Sequence, residues 1–473
     1  MAHKQNNNYM SIKSRFIGDK AFYKHTIRIM LPIVVQNGIT QFVNLLDNIM
    51  VGQIGTEPMT GVSITNQLIF VFNLCIFGAL SGVGIFGAQF AGRKDDEGIR
   101  HTFRFKVLIA ALLSAIAILL FVLFGTPLIS LFLRGEGDAA NIDAALAFGR
   151  SYLNIMNIGL VPFALVQIYA STLRETGETV IPMKASVAAV FTNLVGNYIL
   201  IFGKLGLPAL GASGAAIATV ASRFVELGII AVWAHTHTDK CRFIKGAYSS
   251  LRIPAPLFKK ICIKGAPILL NEALWSLGIS TLIQSYSFYS YDVVAALNIS
   301  QTINRLFDII TMSFGAAISI MVGQILGTGN MEKARETDTR LIAFSISCSV
   351  VTAAIMALLA PVLAHTYKVT PQVQDLAISF LYIVAVTQPI RAFMHACYFT
   401  LRSGGRTVIT FLFDSVFVWV ASVPAAYFLT RYTGLHIIPI YTIVQLLDIL
   451  KCIVGYILVK KGVWLRNIVA EEK

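Results

Sequence analysis

Asp47 is an acidic residue that interrupts a long apolar stretch, residues 27–51, fifteen residues after Pro32. A carboxylate within a membrane costs about 2.5–3.5 kcal/mol on insertion scales, so such residues usually face a cavity and have a role. Desolvation favours the protonated form, whereas a bound cation favours the charged form. Asp47 therefore suits a site that either binds an ion or takes a proton. The alternative is that it only caps the outer end of its helix.

Two amides with helical spacing form a second candidate group. Asn193 and Asn197 lie at positions i and i+4 of one apolar stretch, so both point to one face of a helix. Amide oxygens there could coordinate Na+, a hard cation that prefers oxygen ligands. The alternative for both residues is hydrogen bonding between helices, which contributes about 0.6 kcal/mol each in membranes.

The second half of the chain carries its own acids. Glu272 is the one acid of the stretch 261–287, and Asn271 beside it could share a polar pocket, although Glu272 could also pair with Lys264. Asp414 has no local partner and is a further candidate. Three opposite-charge pairs at i, i+3 are predicted to neutralise one another; they are Arg223 with Glu226, Arg305 with Asp308, and Asp448 with Lys451.

Long apolar segments must position all these residues. Of the 473 residues, 56% are hydrophobic and only 13% are charged, whereas soluble chains carry about 25% charged residues. Twelve segments are long enough to cross a bilayer as helices, which takes about 20 residues. The sequence therefore predicts an all-α integral membrane protein. The predicted spans are 27–51, 62–90, 105–127, 149–173, 180–203, 211–234, 261–287, 294–323, 341–365, 375–401, 407–430 and 436–460.

The positive charges that give the chain its net charge of +14 are concentrated on one side of the predicted membrane topology. With both termini in the cytoplasm, 29 of the 38 Lys and Arg residues fall on the inside and four in outside loops. This asymmetry follows the positive-inside rule and argues against a nucleic-acid partner. We expect cytoplasmic tails at 1–26 and 461–473, in a multi-pass protein of a bacterial plasma membrane. No Walker A motif is present, so no ATP or other cofactor is expected.

The chain repeats itself. Pro267 lies 235 residues after Pro32, and the same offset joins Gln89 to Gln324. The offset falls to 228 where TLRSGGRT follows TLRETGET, and to 222 between Glu226 and Asp448. We predict a six-helix N-lobe (27–234), a cytoplasmic linker (235–260) and a six-helix C-lobe (261–460). Since six is even, a pseudo-two-fold axis along the membrane normal should relate the lobes, with a substrate path between them.

Several segments resemble one transporter family. The first helix of the multidrug and toxic compound extrusion (MATE) family is similar to the segment LPIVVQNGITQFVNLLDNIMVGQIG. Later parts of the same family resemble GAQFAGRKDDEG after the second helix, TLRETGET between the fourth and fifth helices, and FTNLVGNYILIFG followed by LGASGAAIATVASR. The resemblance covers essentially the whole chain and recurs in both halves. It implies a V-shaped pair of lobes that exports organic, often cationic, drugs against an inward flow of Na+ or H+.

The resemblance also implies roles for single residues. Asp47 matches the coupling carboxylate of the N-lobe, and Thr219 matches a position near the same site. Asn197 stands where the archaeal-type branch usually has Asp, which removes one negative charge. Glu272 matches, about one turn early, a substrate- or cation-binding glutamate of helix 7. Bending of helix 1 near Pro32 on cation binding is a hypothesis.

We therefore predict a cation-coupled antiporter rather than an enzyme. It would export small organic drugs or metabolites by alternating access, with Na+ or H+ as coupling ion, and we expect it to work as a monomer in the lipid bilayer. Two alternatives stay open. One is a flippase for lipid-linked oligosaccharides, which would have extra spans and a strongly basic cavity. The other is a membrane enzyme acting on lipids, which would need clustered His and acids at one interface.

Overall fold

The computed structural model describes residues 16–133 and 139–470, and this part of the chain is built of helices without strands. The predicted N-terminal tail (1–26) and C-terminal tail (461–473) therefore lie partly outside the described residues. The first six long helices are α1 (Lys20–Gly52), α2 (Thr56–Arg93), α3 (Asp96–Phe132), α4 (Ala139–Glu175), α5 (Val180–Phe202) and α6 (Gly211–Thr236).

Six further long helices follow in the second half. They are α7 (Ala255–Ser287), α8 (Tyr291–Thr328), α9 (Met331–His365), α10 (Pro371–Ser403), α11 (Thr407–Tyr432) and α12 (Ile437–Lys461). Within α11, the segments Leu412–Val416 and Val418–Ser422 are π-helical, and a break near Leu447 divides α12. The twelve predicted spans correspond to these twelve helices.

Eleven of these helices, α2 to α12, are long and apolar enough to cross a membrane, as judged over the described residues. The remaining helix, α1, has 33 residues, enough to span, but polar residues such as Gln36 and Asp47 interrupt its apolar sequence. The chain is thus a multi-pass, all-helical membrane protein.

The internal repeat extends to the turns between helices. Asp95 caps α3 by accepting a hydrogen bond from the Gly98 amide (2.9 Å), and Asn330 caps α9 in the same way from Lys333 (3.0 Å). The residues just before these caps, Lys94 and Gly329, both have a left-handed backbone, with φ of 57° and 81°. These pairs of positions keep the spacing of Pro32 and Pro267, so the two halves form the same turn from the same register.

Contacts divide the chain into two compact units. The first contains residues 32–276, and the second contains 277–471 together with the N-terminal residues up to 31. In the first unit, α5 packs on α6, and α4 packs on α2, α3 and α6. In the second, α10 packs on α8, α9 and α12. The predicted lobe boundaries at 27–234 and 261–460 stay a prediction.

The predicted linker begins as the end of α6 and continues as an ordered segment against the first unit. Its 3₁₀ turn, Arg242–Ile244, buries Phe243 and Ile244. The Arg104 guanidinium of α3 donates hydrogen bonds to three linker carbonyls, those of Gly246 (2.7 Å), Ala247 (3.0 Å) and Arg252 (3.1 Å). The linker is therefore fastened to the helices that precede it.

Candidate cation-binding site

The predicted residues Asp47, Asn193, Asn197 and Thr219 meet in one polar cluster, the outer cluster, between α1, α5 and α6. The Asn197 side-chain amide donates to Asp47 Oδ1 at 2.5 Å and to Asn193 Oδ1 at 3.2 Å. Asn193 in turn donates to the Thr219 hydroxyl at 3.1 Å. Two consecutive helices, α5 and α6, and the distant α1 thus bring together a carboxylate, two amides and a hydroxyl.

Small residues allow α5 and α6 to hold this geometry. A side chain at Gly214 of α6 would come within 2.6 Å of the Leu200 carbonyl oxygen, so only glycine permits the approach. At Gly196 of α5, an added Cβ would lie 2.9 Å from the Cβ of Ala218. Small residues allow close backbone approach between membrane helices. Asn193 and Asn197, on one face of α5, are consequently buried, with 4% and 0% of their surface exposed.

The cluster has the chemistry of a monovalent cation site. Oδ1 of Asn197 is buried and has no hydrogen-bond partner among the residues that the structure describes, so it could serve as an oxygen ligand beside the Asp47 carboxylate. Asn193 and Thr219 supply two further oxygens. Hard cations bind such oxygen sets. The residues therefore fit Na+, and Asp47 alone can take a proton instead.

A second acid lies on the same three helices. Glu226 of α6 accepts a hydrogen bond from the Ser186 hydroxyl of α5 at 2.5 Å, and Gln36 of α1 donates to Ser186 at 3.0 Å. The predicted pair of Arg223 with Glu226 forms, at 3.4 Å, and the Arg223 guanidinium also lies 5.0 Å from the ring centre of Phe163.

In the second unit, one predicted local pair is confirmed and another is wrong. Lys451 pairs with Asp448 as predicted, at 3.5 Å, and also reaches Asp414 of α11 at 3.6 Å. Asp308, however, pairs with Arg391 of α10 at 3.1 Å rather than with Arg305. The reason is that α8 packs against α10, so Arg391 projects towards Asp308, while Arg305 is exposed.

Glu272 and Asn271 lie on the part of α7 that belongs to the first unit. Asn271 is buried, with 2% of its surface exposed, and the Glu272 side chain packs close to Gly78 of α2. Asp414 belongs to the second unit, where Lys451 compensates its charge. The substrate or cation roles of these three residues stay a prediction.

Sequence reasoning missed a fully buried ion pair. Lys106 of α3 donates to both carboxylate oxygens of Glu175 at 2.7 and 2.8 Å and to the Thr172 hydroxyl at 3.0 Å. A side chain at Gly87 of α2 would come within 2.1 Å of the Glu175 carboxylate, so the helices close over the pair. Lys106 and Glu175 fall at the edges of predicted spans, where charged residues are expected to reach water. Their opposite charges were the available signal.

Comparisons with known proteins agree over most of the chain. The MatE family model matches twice, over residues 32–199 and 267–428. A probable multidrug resistance protein NorM of Thermotoga maritima is 23% identical over 88% of this chain and 87% of its own length. A probable multidrug resistance protein NorM of Bacillus subtilis is 25% identical over 87% of this chain and 89% of its own length.

Solved structures show the same fold. A mutant of the Vibrio cholerae MATE transporter VcmN matches with a TM-score of 0.84 at 17% identity, over 96% of this chain and 99% of that one. The two matches of the family model begin 235 residues apart, the spacing of Pro32 and Pro267. The family consists of transporters, which excludes the membrane-enzyme alternative. This chain, with its two-lobe, all-helical fold, belongs to the MatE family of MATE transporters.

Proposed function

We propose that this transporter exports small organic, often cationic, molecules in exchange for Na+ or H+ that binds at Asp47. The observation that carries the proposal is the outer cluster, in which Asp47 accepts a hydrogen bond from Asn197, whose own amide oxygen has no partner within the described part of the chain. The relatives named as multidrug resistance proteins support the substrate class. We propose that the protein works as a monomer in the bilayer.

Cation binding would act through charge. An empty Asp47 carries a negative charge within the membrane, which is costly, and a proton or Na+ removes that cost. The charge asymmetry of the loops supports cytoplasmic termini, so Asp47 lies on the outer half of α1 and takes its ion from outside. A membrane potential contributes about 2.3 kcal/mol per charge per 100 mV to that entry.

A conformational change must then connect ion binding to export. Pro32 lies inside α1, where it removes one backbone hydrogen bond and favours a bend. We propose that cation binding at Asp47 changes the contact of α1 with α5 and that α1 bends near Pro32, favouring release of substrate outside. Glu272, Asn271 and Asp414 are the proposed substrate or second cation residues.

The test is transport by the purified protein in liposomes. Ethidium, a fluorescent organic cation, is the probe, and imposed Na+ or H+ gradients are the drive. We expect one gradient to drive ethidium movement and Asp47→Asn to abolish the driven part, because an amide can neither take the proton nor hold the charge. The effective gradient identifies the ion.

Glu332→Gln is the matched control, because Glu332 is an exposed acid in the first turn of α9. It should transport like the wild type. If neither gradient moves ethidium although the protein is correctly inserted, or if Asp47→Asn still couples, the proposal is wrong.

A further inference from the structure

Two polar levels, not one, cross the interface of α1, α5 and α6. On α1, Gln36 lies eleven residues before Asp47, and on α5 Ser186 lies eleven residues before Asn197. Eleven residues are about three helical turns, so each pair lies on one face of its helix. We call Gln36, Ser186 and Glu226 the inner cluster.

On the third helix, α6, the residues of the two clusters also lie on one face. Thr219 and Glu226 of α6 are seven residues apart, about two turns, which corresponds to about 10 Å along the helix axis. Because α6 runs from outside to inside in the predicted topology, Glu226 lies on the cytoplasmic side of the outer cluster. Ser222 lies between them on α6 and donates to the Thr219 carbonyl at 2.7 Å. Polar groups thus continue from Asp47 towards the cytoplasm.

The side chains of Glu226 and Ser186 in the inner cluster are buried and hydrogen-bonded to each other. Glu226 and Ser186 are buried, with 3% and 6% of their surface exposed, and their hydrogen bond measures 2.5 Å. Gln36 joins α1 to the cluster through Ser186 at 3.0 Å. A buried acid on a membrane helix commonly marks an ion or proton pathway, because its insertion is otherwise unfavourable.

Arg223 connects the charges of the two clusters. It pairs with Glu226 at 3.4 Å, and on α6 it lies four residues, about one turn, after Thr219 of the outer cluster. Arg174 at the end of α4 is the second cation that acts on Glu226 in the described part of the first unit, but it also acts on Glu175. Arg223, with 32% of its side chain exposed, has room to change partner.

We propose that Glu226 is a second proton-binding site, which receives the coupling proton after Asp47 and passes it to the cytoplasm. This inference rests on the proposed function and deepens it by naming the inward route. In the step, the O–H bond of protonated Asp47 breaks and water in the interface carries the proton. An O–H bond of Glu226 forms, and Arg223 leaves Glu226 to become the counter-ion of Asp47. Charge is conserved throughout.

The chemistry of the inner cluster selects a proton rather than Na+. A guanidinium within ion-pair distance of the carboxylate repels a metal ion, whereas a proton releases that guanidinium. Gln36 links the step to α1, because bending of α1 near Pro32 would alter its hydrogen bond to Ser186. The hydrogen bonds of the inner cluster would therefore change when α1, the helix that carries Asp47, bends.

The test compares three measurements on Glu226→Gln in the full-length protein. The first is ethidium movement driven by a pH gradient in liposomes. The second is ethidium counterflow, an exchange that needs no net proton movement. The third is proton release on adding ethidium to the protein in detergent, which reports Asp47. We expect driven transport to fall at least about tenfold, since a positioned proton-transfer group contributes about 10²–10⁴-fold.

Counterflow and proton release should stay near the wild-type level in Glu226→Gln, while Asp47→Asn should release no proton. Glu226→Asp should restore part of the driven transport, because it restores the acid. A merely structural role would lower counterflow together with driven transport, and that result would overturn the inference.

The other outcomes separate this inference from the proposed function. If Asp47→Asn loses coupling but Glu226→Gln drives transport like the wild type, only the inference fails. If a Na+ gradient alone drives the wild type, the proposed function stands and the proton route is wrong. If the wild type shows no coupling, the proposed function itself fails.

Discussion

The two units differ most where the first unit holds its outer cluster. The repeat offsets of 235, 228 and 222 residues carry Asp47 to Leu282, Asn197 to Ala425 and Thr219 to Tyr441. In the second unit Tyr441 belongs to a hydrophobic cluster that also includes the buried Phe380, and Leu282 and Ala425 pack against this cluster. The same helical framework therefore supports a polar site in one unit and an apolar core in the other.

At the inner level, both units are polar but differ in how they hold charge. The offsets carry Ser186 to Asp414 and Glu226 to Asp448. In the first unit one carboxylate accepts from a hydroxyl and pairs with the partly exposed Arg223, whereas in the second unit the buried Lys451 bridges two carboxylates. The first arrangement leaves an acid that can change protonation, and the second fixes its charges. The comparison favours the first unit for the coupling ion, and a substrate or second cation role of Asp414 stays a prediction.

The largest expected effect is on Lys451. Only 4% of its side chain is exposed, and Lys451→Met would leave the Asp414 and Asp448 carboxylates without their shared cation. We expect a loss of about 3–5 kcal/mol of stability, typical of removing one partner from a buried pair. Thermal unfolding in detergent measures this. Arg223→Met should cost less, because Glu226 keeps its hydrogen bond from Ser186 and can take a proton when the guanidinium is removed. Equal losses would break the comparison.

The second test exchanges the residue types at Asp47 and at Leu282, its counterpart in the second unit. Leu282→Asp places a carboxylate beside the hydrophobic cluster of the second unit, which should cost about 2.5–3.5 kcal/mol. Leu282→Asn is the uncharged control and should cost less. Asp47→Leu should fold with unchanged or higher thermal stability while coupling is lost. If Asp47→Leu unfolds the protein, Asp47 is a structural residue.

A smaller effect is expected at Asn197. Asn197→Ala removes the donor to Asp47 and the free amide oxygen, so cation affinity should fall at least about tenfold. The measurement is displacement of bound ethidium by the coupling cation at equilibrium. The reciprocal variant Ala425→Asn, in the second unit, should leave that displacement curve unchanged. Unchanged displacement in Asn197→Ala would remove this residue from the site.

The smallest expected effect is at Thr219, whose hydroxyl accepts a hydrogen bond from Asn193. Interhelical hydrogen bonds contribute about 0.6 kcal/mol in membranes, so Thr219→Ala should weaken cation affinity about threefold. Thr219→Ser, which keeps the hydroxyl, should bind like the wild type. A weakening in Ser as large as in Ala would show that the methyl group, not the oxygen, matters.

The fold was largely predictable because the thickness of the bilayer core sets the length of a spanning helix. The distribution of Lys and Arg among the loops then indicates the topology. The outer cluster was predictable in part: the i, i+4 spacing placed Asn193 and Asn197 on one face, and the family resemblance joined them to Asp47 and Thr219. What spacing cannot show is contact between distant helices. Asp308 of α8 pairs with Arg391 of α10, although its sequence neighbour Arg305 was the predicted partner.

The inner cluster escaped prediction for a related reason. Gln36 and Ser186 are ordinary polar residues of apolar helices, and Glu226 was predicted only as the ion-pair partner of Arg223, so the sequence did not connect the three residues. Only the packing of α1, α5 and α6 shows that the three side chains form one chain of hydrogen bonds.

The central claim is that the coupling cation binds in the first unit, at Asp47. The most direct measurement is equilibrium binding of ethidium to the purified protein as a function of pH and Na+ concentration, in the wild type, Asp47→Asn and Asp414→Asn. We predict that the cation weakens ethidium binding in the wild type and in Asp414→Asn, and that this dependence disappears in Asp47→Asn. A dependence that survives Asp47→Asn but disappears in Asp414→Asn would contradict the claim and place the site in the second unit.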